Sequence, residues 1–149
     1  MARLREIKVT PVITAGEYAS LDAVGPKLTF AGAASPYNGS GRVRKVIIID
    51  DAEQKDTLDL FLFRSTQSVI ADNAAYAITD ADMQLCLGAI TIPDTAYVSG
   101  SGNAIAWVDV DFPYQLATGA TSLFGQLRVT GTPTFAAVDD ITVILLIER

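Results

Sequence analysis

A chain of 149 residues suits one domain with a sizeable core that needs neither disulfide nor metal staple. Histidine is absent and cysteine occurs once, which disfavours most hydrolase and metalloenzyme designs, because histidine is the usual general base and metal ligand. The net charge of −6 argues against a nucleic-acid partner, and no apolar run approaches the ~20 residues of a membrane span.

The first half of the chain is patterned as short strands separated by turns. Residues 5–13 alternate loosely until Pro11 interrupts them, which is typical of an edge strand or an arm. A short strand is predicted over residues 27–30, followed by a loop with the turn signal Asn38-Gly39. The β-branched residues 42–50 and the alternating residues 57–63 flank a polar link, and this arrangement predicts an antiparallel pair.

The second half begins with a helix signal and continues with strands. A short helix is predicted near 79–86, because Thr79 is a good N-cap and Gly88 suits the residue just past the end. The last strand is apolar on both faces, which places it centrally in a sheet. The strands predicted in this half are 88–92, 104–112, 122–129 and 141–147.

These elements predict an all-β fold. About eight short strands with regular turn signals indicate a single-domain antiparallel β-sandwich over residues 1–149, jelly-roll-like in type, with one short helix. Residues 1–11 are either an extended N-terminal arm that adds a strand to a neighbour or an ordinary first strand.

The side chains of this chain that could take part in catalysis are paired acids. Asp109 and Asp111 share one strand face with Trp107, an arrangement compatible with a sugar-binding face or with solvated or interface acids. The pairs Asp50-Asp51, Asp80-x-Asp82 and Asp139-Asp140 lack the spacing of a calcium loop, so no metal site is predicted. Cys86 between two leucines is interpreted as a small buried hydrophobe.

Charge is unevenly distributed along the chain. Residues 1–50 hold seven basic and four acidic side chains, a net +3, and the remainder holds four basic and thirteen acidic ones, a net −9. Such a bipolar chain suits head-to-tail contacts between subunits or docking on a charged protein surface, and it equally suits two solvated faces.

Several stretches resemble, in order, a family of small virion proteins of tailed bacteriophages. The resemblance implies a structural protein of the phage particle, in particular a head decoration (cement) protein on the outer capsid surface. Proteins of that class are commonly β-sandwiches or β-tulips and often trimeric, and the family has no catalytic motif. The stretches are KVTPVITAGEYASLDAVG, LTFAGAA, VRKVIIIDDAEQKDTLDLFLF, DNAAYAITDADMQLCLGAITI and GTPTFAAVDDITVILLIER.

The resemblance implies two partners, the major capsid protein of the same phage and further copies of the chain in a homo-oligomer, a trimer by expectation. The chain would be made in the bacterial cytoplasm and act in the virion, without catalytic residues, metal or other cofactor, nucleic acid or membrane. Two alternatives stay open: a receptor- or glycan-binding virion module, and a tail or head–tail connector protein.

Site residues follow from pattern and not from the family. An exposed aromatic contact face is predicted at Trp107 and Tyr114. The candidate interface with capsid or with other subunits comprises Arg3, Arg5, Lys8, Arg42, Arg44, Phe61 and Phe63.

Overall fold

Short runs of alternating apolar and polar residues form nine β-strands in a computed structural model that describes residues 3–149. The described chain also contains one α-helical turn and one 3₁₀-helical turn (Asp94–Ala96). No helix among these residues is long and apolar enough to cross a membrane. The strands are β1 (Leu4–Val9), β2 (Ala23–Phe30), β3 (Ser40–Asp50), β4 (Leu58–Phe63), β5 (Cys86–Ile92), β6 (Tyr97–Ser99), β7 (Ala104–Gln115), β8 (Leu123–Val129) and β9 (Ile141–Glu148), and the helix is α1 (Asp80–Met83).

The strands form two antiparallel sheets that pack face to face. One has five strands in the order β1-β9-β3-β7-β6, and the other has four in the order β2-β8-β4-β5. Their inner faces supply a core of fully buried aliphatic side chains, among them Val46, Ile48, Leu60, Leu127 and Leu145. The predicted all-β sandwich is therefore confirmed, whereas its jelly-roll form stays a prediction.

Strand β9 lies inside the five-stranded sheet, as predicted, because it is hydrogen-bonded to β1 on one side and to β3 on the other.

The predicted pairing of residues 42–50 with 57–63 is wrong, since β3 pairs with β7 and β9 while β4 pairs with β5 and β8. The link between them crosses from one sheet to the other. Asp50 folds this link by accepting hydrogen bonds from the amides of Ala52 (3.0 Å) and Lys55 (2.8 Å).

The helix is shorter than the predicted 79–86. Thr79 is its N-cap as expected, and its side chain accepts a hydrogen bond from the Asp82 amide at 3.2 Å. The helix ends early because Cys86 begins β5 and pairs with Phe63 of β4. Cys86 is half-buried rather than buried.

The N-terminal segment forms an edge strand on the five-stranded sheet, where β1 pairs with β9. Residues 1 and 2 of the arm considered over 1–11 lie outside the described residues.

Residues 64–79, here called the cover segment, cross the outer face of the four-stranded sheet. The Asp72 carboxylate holds this segment in place by accepting 2.6 Å hydrogen bonds from the Thr14 hydroxyl, the Tyr18 hydroxyl and the Gly25 amide. Burial, reinforced by the bond to Asp72, raises the pKa of Tyr18 to about 12. Gln126 of β8 donates a further bond to the Ile70 carbonyl at 2.9 Å. One outer face of the sandwich is thus covered by the chain itself.

Candidate functional site

The outer face of the five-stranded sheet is open and apolar at its centre. Strand alternation directs Ile47 outward opposite Ile144 on one side and Trp107 on the other, and the next outward row pairs Ile49 with Ile105. Trp107 is 46% exposed and Ile105 is 40% exposed. An apolar surface of this kind on a folded domain indicates a contact site. We call it the bare face and define it as the exposed Val98, Ile105 and Trp107, the half-buried Ile47, Ile49 and Leu146, and Ile144, which is only 9% exposed between them.

Charged side chains line one border of the bare face. Asp111 of β7 forms ion pairs with Arg42 and, at 3.7 Å, with Arg44, both on β3. Lys45 lies 3.7 Å from the carboxylate of Asp109. All of these side chains are at least one-third exposed, so the pairs contribute little to folding stability. Such a polar border suits orientation of a partner more than it suits binding strength.

A concave region lies at another part of the molecule, where β1 begins and β9 ends. The backbones of Arg3 and Arg149 exchange two hydrogen bonds of 3.1 Å, which hold the start of β1 beside the end of β9. Beside them is a groove of about 320 Å³, called the basic groove, lined by Arg3, Arg5, Ser35, Pro36, Tyr37 and Arg149.

The loop that carries Tyr37 is held firmly against the sheet. Gly39 has a φ of +72°, and a β-carbon at this position would approach the Leu116 carbonyl oxygen to 2.4 Å, so glycine is required. The Gly39 amide donates to the Ser35 carbonyl (2.7 Å), and its carbonyl accepts from the Leu116 amide (2.8 Å). Tyr37 projects from this braced turn with 89% of its surface exposed.

The structure brings most of the predicted basic interface residues to one region. Lys8 is exposed on β1, opposite Ile144 at the edge of the bare face, and Arg42 and Arg44 form part of its charged border. Arg3 and Arg5 line the basic groove instead. Three of the five predicted basic residues therefore lie at the bare face, and the other two lie in the basic groove.

Three predicted aromatic positions lie elsewhere. Phe63 is fully buried, and Phe61 is half-buried beneath Tyr76 of the cover segment (ring centroids 5.0 Å apart) and Arg128 (4.9 Å). A loop of the same chain therefore covers this face, whose Phe61 and Phe63 the sequence pattern assigned to the candidate interface with capsid or with other subunits.

The expectation that Tyr114 is exposed beside Trp107 is wrong. Tyr114 is directed inward and is only 6% exposed, and its hydroxyl donates to the Ala33 carbonyl at 2.6 Å. Alternation along β7 explains the difference, because positions 107 and 114 are an odd number of residues apart and point to opposite faces. Burial raises the pKa of Tyr114.

One carboxylate of each acidic pair considered as a cation ligand binds backbone amides instead: Asp50, Asp82 and Asp140. The Asp140 carboxylate accepts hydrogen bonds from the amides of Ala136 and Ala137, both at 2.9 Å, and Asp50 folds the β3–β4 link. Burial raises the pKa of Asp50, and the nearby charge of Asp140 adds to that effect. Within residues 3–149 no three acidic or cysteine side chains come together as a metal-ion site.

Two groove residues, Tyr37 and Arg149, were not singled out from the sequence. Tyr37 carries a weak signal, since an aromatic residue between Pro36 and the Asn38-Gly39 turn is directed away from any strand core. Arg149 carries none, because its place beside Arg3 depends on the register of β1 on β9.

A search against protein-family models gave no match to the chain, and no curated protein matches it.

Proposed function

We propose that this chain is a structural protein of a tailed-phage particle, a head decoration protein that binds the outer capsid surface as a homo-oligomer and stabilises contacts between capsid subunits. The observation that carries the proposal is the bare face, an apolar sheet surface with a charged border on a sandwich whose other outer face is covered. The sequence resemblance supplies the phage context.

The bare face is suited to act as a rigid docking platform. Apart from Val98 on the edge strand β6, its residues belong to the inner strands β9, β3 and β7, and β3 is hydrogen-bonded on both sides by β7 and β9. Backbone held in this way loses little conformational freedom on binding, so more of the contact energy is retained as affinity. Trp107 supplies a large amphipathic side chain of the type that dominates binding energies in protein interfaces.

The proposed mechanism is mechanical. A shell under internal pressure fails where neighbouring subunits separate, and a rigid protein that contacts several subunits adds contacts that must break first. Simultaneous attachment of several copies in one oligomer gives retention far beyond that of one weak contact. Binding to the assembled shell also stabilises both partners by mass action.

Co-sedimentation with mature shells of the phage that encodes the chain tests the proposal. We expect saturable binding at a stoichiometry tied to lattice positions, and shells that withstand more heat when decorated. Trp107→Glu should weaken binding at least about tenfold, because it places a charge at the centre of an interface that must be desolvated.

A matched pair of valines controls for surface charge. Val98→Glu lies on the bare face, whereas Val69→Glu lies in the cover segment, and both valines are more than half exposed. The first variant should lose shell binding and the second should keep it. Absence of saturable binding by the wild-type chain, or equal loss in both valine variants, would contradict the proposal.

Glycan or receptor binding is a second candidate function, favoured by the exposed Trp107 next to Asp109. The burial of Tyr114 removes the second aromatic side chain expected for such a groove. A Trp107→Ala phage that assembles with full decoration but is no longer retained on host cells would favour this function over capsid binding.

A further inference from the structure

Basic side chains are concentrated at one end of the sandwich. At the end where β3 begins and β9 finishes, the structure places Arg3, Arg5, Arg42, Arg44 and Arg149, together with two acidic side chains, Glu148 and the Asp111 that is paired with Arg42. The opposite end, called the acidic end, consists of loops 10–22, 50–57, 93–103 and 130–140. These loops carry Glu17, Asp22, Asp50, Asp51, Glu53, Asp56, Asp94, Asp139 and Asp140. Across these four loops, all within the described chain, Lys55 is the one basic side chain.

The basic groove presents unneutralised guanidinium groups. Within residues 3–149, Arg3, Arg5 and Arg149 form none of the ion pairs, in contrast to Arg42 and Arg44, which share Asp111. A guanidinium offers several donors in a planar fork that matches a carboxylate. Three such groups around one concave surface make the groove complementary to a segment bearing several carboxylates.

The acidic end has the corresponding exposed carboxylates on a braced platform. Asp51, Asp94 and Asp139 are exposed, and in the described chain their side chains form no hydrogen bond or ion pair. The platform beneath them is fixed, since the buried carboxylates of Asp50 and Asp140 bind amides of their own loops and the Asp51 amide donates to the Asp140 carbonyl at 2.8 Å.

We propose that the basic groove of one copy binds the acidic end of a second copy, so that the chain associates head to tail. Charge complementarity selects this occupant, because the groove and the acidic end lie at opposite ends of one sandwich and cannot meet within a single copy. A contact between two different surfaces closes into a ring when the rotation between copies permits it. The inference specifies the self-association within the proposed function, and its test contains no shells.

Analytical ultracentrifugation of the purified chain tests the contact through its salt dependence. We expect association at about 0.01 M salt that weakens strongly toward about 1 M, where screening shortens to roughly 3 Å. Arg5→Glu and Asp139→Lys should each raise the dissociation constant about tenfold. Two matched controls, Arg64→Glu and Asp80→Lys, make the same charge reversals at exposed positions outside the groove and the acidic end. They should leave the dissociation constant unchanged.

Mixing the two interface variants separates this contact from one that joins two grooves or two acidic ends. An Arg5→Glu copy keeps an intact acidic end and an Asp139→Lys copy keeps an intact groove, so the mixture should associate more tightly than either variant does alone. A wild-type chain that stays monomeric at low salt would overturn the proposal, as would association that both reversals leave unchanged. Neither result alters the shell-binding test, which depends on the bare face.

Discussion

The two outer faces of the sandwich differ in what lies over them. On the four-stranded sheet, Phe61 is packed beneath Tyr76 and Arg128, and the cover segment is hydrogen-bonded to the sheet through Gln126. On the five-stranded sheet, Trp107 occupies a comparable outward position and is 46% exposed. Both faces carry apolar side chains, yet the chain covers one of them and leaves the other open.

The polar groups on each face explain this difference. A loop that lies on a sheet brings polar groups that need partners, and the covered face supplies some of them. Gln126 of β8 donates to the Ile70 carbonyl, while Gln67 and Asp72 of the cover segment bind the Gly125 carbonyl and the Gly25 amide of the sheet. The centre of the bare face offers Ile47, Ile144 and Trp107, which present almost no hydrogen-bonding capacity. A surface of this composition suits the apolar side chains of a folded partner better than a loop.

The largest expected effect follows from removing the Asp72 carboxylate, which holds the cover segment on the four-stranded sheet. Asp72→Ala deletes the acceptor of three hydrogen bonds and leaves the buried Tyr18 hydroxyl without it, so the free energy of unfolding should fall by about 3 kcal/mol. Urea denaturation measures the change. Asp80→Ala removes an exposed carboxylate just beyond the cover segment and should cost well under about 1 kcal/mol. Equal effects would show that Asp72 does not hold the segment.

Truncating one aromatic on each face tests the comparison directly. Phe61→Ala should lower the free energy of unfolding by about 2 kcal/mol, because it removes contacts with Tyr76 and Arg128. Trp107→Ala should cost less than about 1 kcal/mol, since much of the indole already contacts solvent. Thermal and urea unfolding of the isolated chain measure both. A larger loss for Trp107 than for Phe61 would mean that the bare face is not open in solution.

Sequence patterns predicted the direction in which the side chains of a strand point better than they predicted which strands pair. The alternation of residues 104–112 placed Trp107, Asp109 and Asp111 on one face correctly, because side-chain direction is a local property of a strand. The error at Tyr114 arose beyond that run, where β7 continues to Gln115 and keeps its alternation.

Pairing could not be predicted because it depends on long-range contacts. Residues 42–50 and 57–63 are close in sequence and looked like a hairpin, but each strand pairs with distant strands of different sheets. For the same reason the basic groove was not foreseen, since Arg149 meets Arg3 only through the register of the outermost strand pair. The cover segment also escaped prediction, because its irregular backbone has no periodicity to detect.

Breaking an ion pair should likewise cost more folding stability on the four-stranded sheet than at the border of the bare face. Under the cover segment, the Asp59 carboxylate accepts two bonds from Arg128 (2.8 and 3.2 Å) and is 7% exposed, so Asp59→Ala should cost about 2 kcal/mol. Asp111→Ala on the bare face should cost about 0.5 kcal/mol, and that loss should vanish at high salt. Urea denaturation at two salt concentrations measures both, and a salt-sensitive loss for Asp59 would contradict the difference in burial.

The smallest effect is expected from lowering the pH. This change should loosen the cover segment and leave the bare face unchanged. The Asp82 carboxylate accepts a hydrogen bond from the Ser68 amide at 3.1 Å, and this bond is the main reason that the pKa of Asp82 lies below its usual value. Between the lowered pKa of the folded state and the ordinary pKa of the unfolded state, the unfolded chain binds more protons. The stability that Asp82 contributes is therefore present above the ordinary pKa and is lost as the pH falls through the folded one.

Hydrogen exchange of peptides from the cover segment, corrected for intrinsic rates, should detect this change as faster exchange near about pH 3 than near about pH 6. Asp82→Asn keeps an acceptor for the Ser68 amide and removes the titration, so its exchange should lose this acid dependence. Peptides from β3 and β9 should exchange equally at both pH values, because their hydrogen bonds do not involve the Asp82 carboxylate. An identical pH response in the wild type and in Asp82→Asn would mean that another group fixes the cover segment, and the three bonds of Asp72 would then account for its attachment.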